Sequence, residues 1–171
     1  MSAPADLKER DTRFRNLRNS MEREGLSAVI VAGHGSGFNR GYIRYFGDVH
    51  MWEGDVLILI PLDSEPVHVS VTYAGPMPDE EWISDFRRAP DPETEIVSAM
   101  KEKGLTKGKI GIAGLKQRAT VGAYETLKSS FPNVEFVNAD MIVDRIKALK
   151  SELELVQLRD LWEMSQRAMD R

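Results

Sequence analysis

Leu7, Phe14, Leu17 and Met21 fall on one stripe of a helix of about 3.6 residues per turn, with charged side chains between them. Gly25 stands where a glycine ends such a helix. Ala28-Val29-Ile30-Val31-Ala32 follows as a continuous apolar run, the pattern of a strand covered on both faces. After the loop Gly33 to Gly37, Tyr42, Ile43 and Phe46 return to helical spacing, and Asn39 is placed to cap a short helix. Asp55 to Ile60 reads as a second buried strand, and Val67-His68-Val69-Ser70-Val71 alternates apolar with polar. The two form an antiparallel hairpin, and the alternation points His68 outward, where a histidine is ordinarily a surface residue.

Pro76 and Pro78 interrupt the next stretch, and Asp79 to Ile83 has the acids and apolar residues of a short helix. From Asp91 the punctuation is regular. Asp91 caps a helix with Pro92 in its first turn and Ile96, Val97 and Met100 on one side, stopped by Gly104. Lys109 to Ala113 is a strand, Thr120 caps a helix bearing Val121, Tyr124, Leu127 and Phe131, and Val134 to Val137 is another strand. Strands and helices alternate, so the expected fold is α/β, a mixed β-sheet containing an antiparallel hairpin and flanked by helices.

The last stretch departs from this rhythm. Ile142, Ile146 and Leu149 mark one helix, and Ser151-Glu152-Leu153-Glu154 is a capping box that opens another. Leu155, Leu158, Trp162, Ser165 and Met169 make one side of the second helix, with Leu161 and Met164 beside it. That wide apolar side needs a partner, either more of the same polypeptide or a second subunit.

Composition narrows the function without defining it. The chain has 171 residues, 42% apolar and 29% charged, with a formal net charge of −4. At this length a chain removes about 70% of its unfolded surface from water, enough for a core without staples. With no cysteine it has no disulfide, thiolate nucleophile or cysteine zinc site, and a reducing cytoplasm is the expected setting. No stretch approaches the roughly 18 apolar residues of a membrane span. The basic residues from Lys8 to Arg23 are mixed with Asp6, Glu9, Asp11, Glu22 and Glu24, which makes a solvated helix face, and no nucleic-acid partner is expected.

Familiar catalytic signatures fail on spacing. Gly33-His34-Gly35-Ser36-Gly37 lacks the third glycine of G-x-G-x-x-G, and Gly108-Lys109 is followed by Ile110 where a phosphate loop has Ser or Thr. His34, His50 and His68 are too far apart to share a helix face, and no G-x-S-x-G elbow occurs. The surface candidate is the loop His50-Met51-Trp52-Glu53, because Trp and Met are enriched where partners bury area.

Taken in order, Arg23-Glu24-Gly25-Leu26-Ser27-Ala28-Val29-Ile30-Val31, then Asn39-Arg40-Gly41-Tyr42-Ile43-Arg44-Tyr45-Phe46-Gly47, then a buried strand and hairpin, resemble the N-terminal domain of the creatinase, prolidase (Xaa-Pro dipeptidase) and aminopeptidase P family. Lys147-Ala148-Leu149-Lys150-Ser151-Glu152-Leu153-Glu154-Leu155 is similar to the R-x-I-K-S-x-x-E-I junction of that family, with Lys147 in place of Arg and Leu149 and Leu155 in place of Ile.

The resemblance implies a two-lobed hydrolase. Its C-terminal "pita-bread" domain carries two Asp, one His and two Glu for a divalent metal pair in the peptidases, while creatinase-like members work without metal. On this reading residues 1–150 are the N-terminal domain, residues 151–171 begin a linker helix, and the native polypeptide is expected to continue past Arg171 into the catalytic domain. This chain then holds no catalytic or metal-binding residue and no cofactor of its own, and is inactive alone. Its partners are the C-terminal domain and a second copy in a homodimer, and His50 to Glu53 forms part of a substrate-access lip. Two alternatives remain open: a stand-alone nucleotide-binding domain using Gly33 to Gly37, and an interaction module that dimerises through the terminal helix.

Overall fold

The computed structural model describes residues 7–48, 54–71 and 82–170. Its centre is a six-stranded sheet made of β1 (Ala28–His34), β2 (Asp55–Pro61), β3 (Val67–Ser70), β4 (Asp85–Arg88), β5 (Gly108–Ala113) and β6 (Val134–Asn138). Their spatial order is β4-β3-β2-β1-β5-β6. β2 runs antiparallel to both β1 and β3, whereas the β1–β5, β3–β4 and β5–β6 pairs are parallel. The mixed sheet and its hairpin are as the hydrophobic pattern predicts.

Alternation along the strands sorts side chains to two cores. Val29, Val31, Val56, Ile58 and Ile60 face one side, covered by α1 (Leu7–Glu24), α2 (Gly41–Gly47) and α5 (Asp140–Ala148). Ala28, Ile30, Leu57, Leu59, Val67, Val69, Ile110 and Ile112 face the other, covered by α3 (Pro92–Glu102) and α4 (Val121–Ser130). Both faces of the central strands are dry, which explains why β1 and β2 read as unbroken apolar runs. α6 (Glu152–Met169) joins neither layer and has no buried residue.

The starts of α3, α4 and α6 follow local chemistry. The side chains of Asp91, Thr120 and Ser151 accept hydrogen bonds from the backbone N–H groups of Thr94, Ala123 and Glu154, and Ser151 with Glu154 completes the capping box.

Four expectations are corrected. His68 is 1% exposed, because α2 and Phe86 cover the face that strand alternation leaves open. Asn39 does not cap α2: Arg40 precedes the helix without a side-chain cap, and the Asn39 amide donates to Ser36 Oγ instead. Leu149 lies past the end of α5 and is 81% exposed. Of the short helix expected over Asp79 to Ile83, residues 79–81 lie outside the described residues, and residues 82–84 lead without a helix into β4.

Candidate functional site

The predicted access loop, His50, Met51, Trp52 and Glu53, lies outside the described residues, but both its roots are defined. On one side α2 ends at Asp48, which adopts a left-handed conformation (φ 49°) and donates its N–H to Arg44 O at 3.0 Å. On the other, the Gly54 carbonyl accepts the Gly35 N–H at 2.9 Å, and Asp55 pairs with His34. The loop is therefore rooted between the end of α2 and the edge where β1 ends and β2 begins.

That edge also holds the glycine loop 33–37, and the chain turns to opposite faces after neighbouring parallel strands β1 and β5. Such a switch point is where open α/β sheets bind ligands. Here it is closed. The space bounded by Gly33, Asp55, Arg118 and Thr120 is about 10 Å³, room for one water. The backbone amides that would cradle a phosphate are already used: His34 N–H donates to Asn39 O, Gly35 N–H to Gly54 O, and Ser36 N–H to His34 Nδ1. Gly33 is glycine for a packing reason, since a Cβ there would lie 2.6 Å from Ile43 Cγ2. These contacts argue against the nucleotide-binding alternative.

Beside α2 lies a polar cluster that sequence spacing does not reveal. Arg13 of α1 donates from Nε to Glu9 at 2.8 Å and from Nη1 to the Tyr45 carbonyl at 2.8 Å. Its guanidinium lies 4.1 Å from the Tyr45 ring centroid and 5.0 Å from that of Trp82. The Nη2 atom is 3.7 Å from Glu154 of α6. The Tyr45 hydroxyl is pushed up to about 12 by burial, which outweighs the opposing pull of Arg13. The only hint of this hub in the sequence is the i, i+4 spacing of Glu9 and Arg13.

A second cluster joins α2 to α5. The Tyr42 hydroxyl donates to Asp144 at 2.5 Å, and its pKa is pushed up to about 12 by burial and by that carboxylate. Arg118 lies 4.3 Å from the Tyr42 ring centroid and the Lys147 ammonium 4.9 Å from it, while Lys147 also donates to Gly41 O at 3.2 Å. Burial lowers the Lys147 pKa from its ordinary value. These groups hold two helices together.

On the remaining side, His68 packs with its ring centroid 4.5 Å from that of Phe86, and neither ring nitrogen has a hydrogen-bond partner among the described residues. Burial lowers its pKa to about 4, so the ring is neutral at pH 7. Ser70 Oγ and Trp82 Nε1 are likewise buried with no partner among the described residues. Arg87 pairs with Asp85 of its own strand at 2.9 Å and ties β4 to α3 through Glu95 and Glu102 at 2.9 and 2.6 Å. Among the described residues, no three His, Asp or Glu side chains come together as a metal site. No described helix is long and apolar enough to cross a membrane.

The sequence pattern over residues 13–148 matches the creatinase/prolidase N-terminal domain. The chain belongs to that family. The match takes in all six strands and the helices α2 to α5, and leaves α6 beyond its end. Among solved structures, this creatinase/prolidase N-terminal domain is similar to the X-Pro aminopeptidase from Thermotoga maritima MSB8, at 17% identity and TM-score 0.73 over 91% of this chain and 41% of that one. It is also similar to the prolidase from Pyrococcus horikoshii OT3, at 17% identity and TM-score 0.63 over 92% of this chain and 41% of that one. The N-terminal domain of the cytoplasmic peptidase PepQ from Mycobacterium tuberculosis H37Rv aligns at 17% identity and TM-score 0.56, over 79% of this chain and 98% of that one. At such identities the likeness is one of fold. The creatinase/prolidase N-terminal domain described here spans about two-fifths of the aminopeptidase and prolidase chains. No curated protein matches its sequence.

Proposed function

We propose that this domain is the non-catalytic N-terminal lobe of a hydrolase of the Xaa-Pro dipeptidase and aminopeptidase P kind, shaping access to an active site carried by a separate C-terminal domain. The observation that carries the reading is the family match over residues 13–148, joined to a terminal helix that presents Leu158, Leu161, Trp162 and Met164 to solvent. A helix with such a face gains stability when an apolar surface covers it, and a catalytic lobe following in the same polypeptide would supply one. On this proposal the divalent metal pair, its ligands and bond cleavage belong to the catalytic domain. On the same proposal the substrate is an Xaa-Pro peptide, a second copy completes a homodimer, and the setting is cytoplasmic.

The loop His50 to Glu53 is the access element of the proposal, since it is rooted between the end of α2 and the sheet edge. The experiment is Trp52→Ala in the polypeptide that includes the catalytic domain. A reduced kcat/KM for Xaa-Pro dipeptides with unchanged metal content is expected. Unchanged kcat/KM together with unchanged dimerisation overturns the access role. The alternative of a pure pairing module is separated by deleting Ser151 to Arg171, which would abolish all self-association in a module and leave the fold intact in either case.

A further inference from the structure

α6 leaves the domain with none of its residues buried, so something at its root must decide where it points. Ser151 and Glu154 start the helix, since Glu154 Oε2 accepts the Ser151 N–H at 3.0 Å while Ser151 Oγ accepts the Glu154 N–H at 3.1 Å. A capping box stabilises a helix without orienting it. Orientation needs a contact from the first turn to the body of the fold; Leu153 and Leu155 are half-buried there, and the ion pair between Glu154 Oε1 and Arg13 is the directional contact among the described residues. The Arg13 and Glu154 side chains are 12% and 18% exposed, so water screens the pair less than a surface pair. Arg13 is itself immobilised by Glu9, by the Tyr45 carbonyl in the last turn of α2 and by two aromatic rings, and so acts as a fixed post.

We infer that Arg13 is a positioning residue that sets the direction of α6, through its contact with Glu154, relative to the end of α2 from which the access loop departs. The same guanidinium holds both elements, so the end of α2 and α6 share one reference point. The helix direction is a property of this chain alone. Its consequence for catalysis rests on the proposed function.

The test uses the absence of cysteine, which lets a spin label be attached at Ser129→Cys on α4 and Gln166→Cys on α6 without background. The distance distribution between the labels is measured in the 171-residue chain diluted with unlabelled protein. Glu154→Gln keeps an oxygen to accept the Ser151 N–H and removes the charge that faces Arg13. It is expected to raise the share of orientations outside the main peak by about five-fold. Arg13→Gln is expected to do the same, and the double variant to add nothing further. A distribution unchanged by Glu154→Gln overturns the inference, and does so even where Arg13→Gln lowers stability or prevents folding, because that result makes Arg13 structural only. Since no step of this test reads catalysis, its failure is distinct from failure of the access proposal.

Discussion

His68 sits neutral and buried, with neither nitrogen bonded among the described residues, so folding denies it a proton that the unfolded chain accepts at its ordinary value of 6.5. Above pH 6.5 the ring is neutral in both states and costs nothing. As the pH falls toward 4 the unfolded chain gains the proton first, and stability drops through that window. At pH 4.5 the loss from this residue is about 2 kcal/mol. His68→Phe keeps a ring against Phe86 and removes the titration. Urea unfolding of this variant is expected to match the parent within about 1 kcal/mol at pH 7 and to exceed it at pH 4.5. An identical pH dependence in the two proteins refutes the assignment. Gly33 carries a second residue-scale expectation. The Cβ of alanine would meet Ile43 Cγ2 at 2.6 Å and the Asn39 carbonyl at 3.0 Å, so Gly33→Ala should lower the unfolding free energy by about 1 to 3 kcal/mol.

Among elements, α6 differs from the rest because its stability is local. Ser151→Ala removes the cap that Glu154 N–H uses and should speed amide exchange across Glu152 to Met169 by about five-fold, while the denaturation midpoint of the sheet stays where it was. Exchange that is unchanged in α6 would mean that something other than the cap maintains it. Elements with local signals were readable in advance: Asp91, Thr120 and Ser151 each announce a helix start within four residues, and the apolar runs of β1 and β2 require cover on both faces. β4 was not readable, because Asp85-Phe86-Arg87-Arg88 has no alternation of its own. It is a strand because it pairs with β3 and because Arg87 fastens it to α3. His68 was misplaced for the same kind of reason, since alternation tells which residues share a face and leaves unsaid whether water reaches it. The Arg13 hub brings together four stretches of chain, and no window along the sequence contains them.

At the scale of the whole molecule, the two cores include no residue of α6. A chain ending at Lys150 is therefore expected to unfold within about 1 kcal/mol of the 171-residue chain, the difference being the Arg13–Glu154 pair and any packing at the junction. A much larger loss in equilibrium urea unfolding would show that α6 belongs to the cooperative unit. The candidate site was readable only as a loop of suggestive composition. The structure adds its two roots at Asp48 and Gly54, the closed switch point after β1 and β5, and the Arg13 hub at the last turn of α2.

The antiparallel step between β1 and β2 has a consequence for biosynthesis. As the chain leaves the ribosome, β1 emerges with both hydrogen-bonding edges bare. Ala28 finds Pro61 on one side soon afterwards, but its partner on the other side, Ile110, is made only after β3, β4 and α3. For that interval the nascent sheet displays Ala28 to Val31 as an unpaired apolar edge, the kind of surface on which chains aggregate. The growing chain most needs shelter between the synthesis of β2 and that of β5, and a pause in translation before Gly108 would prolong the exposure.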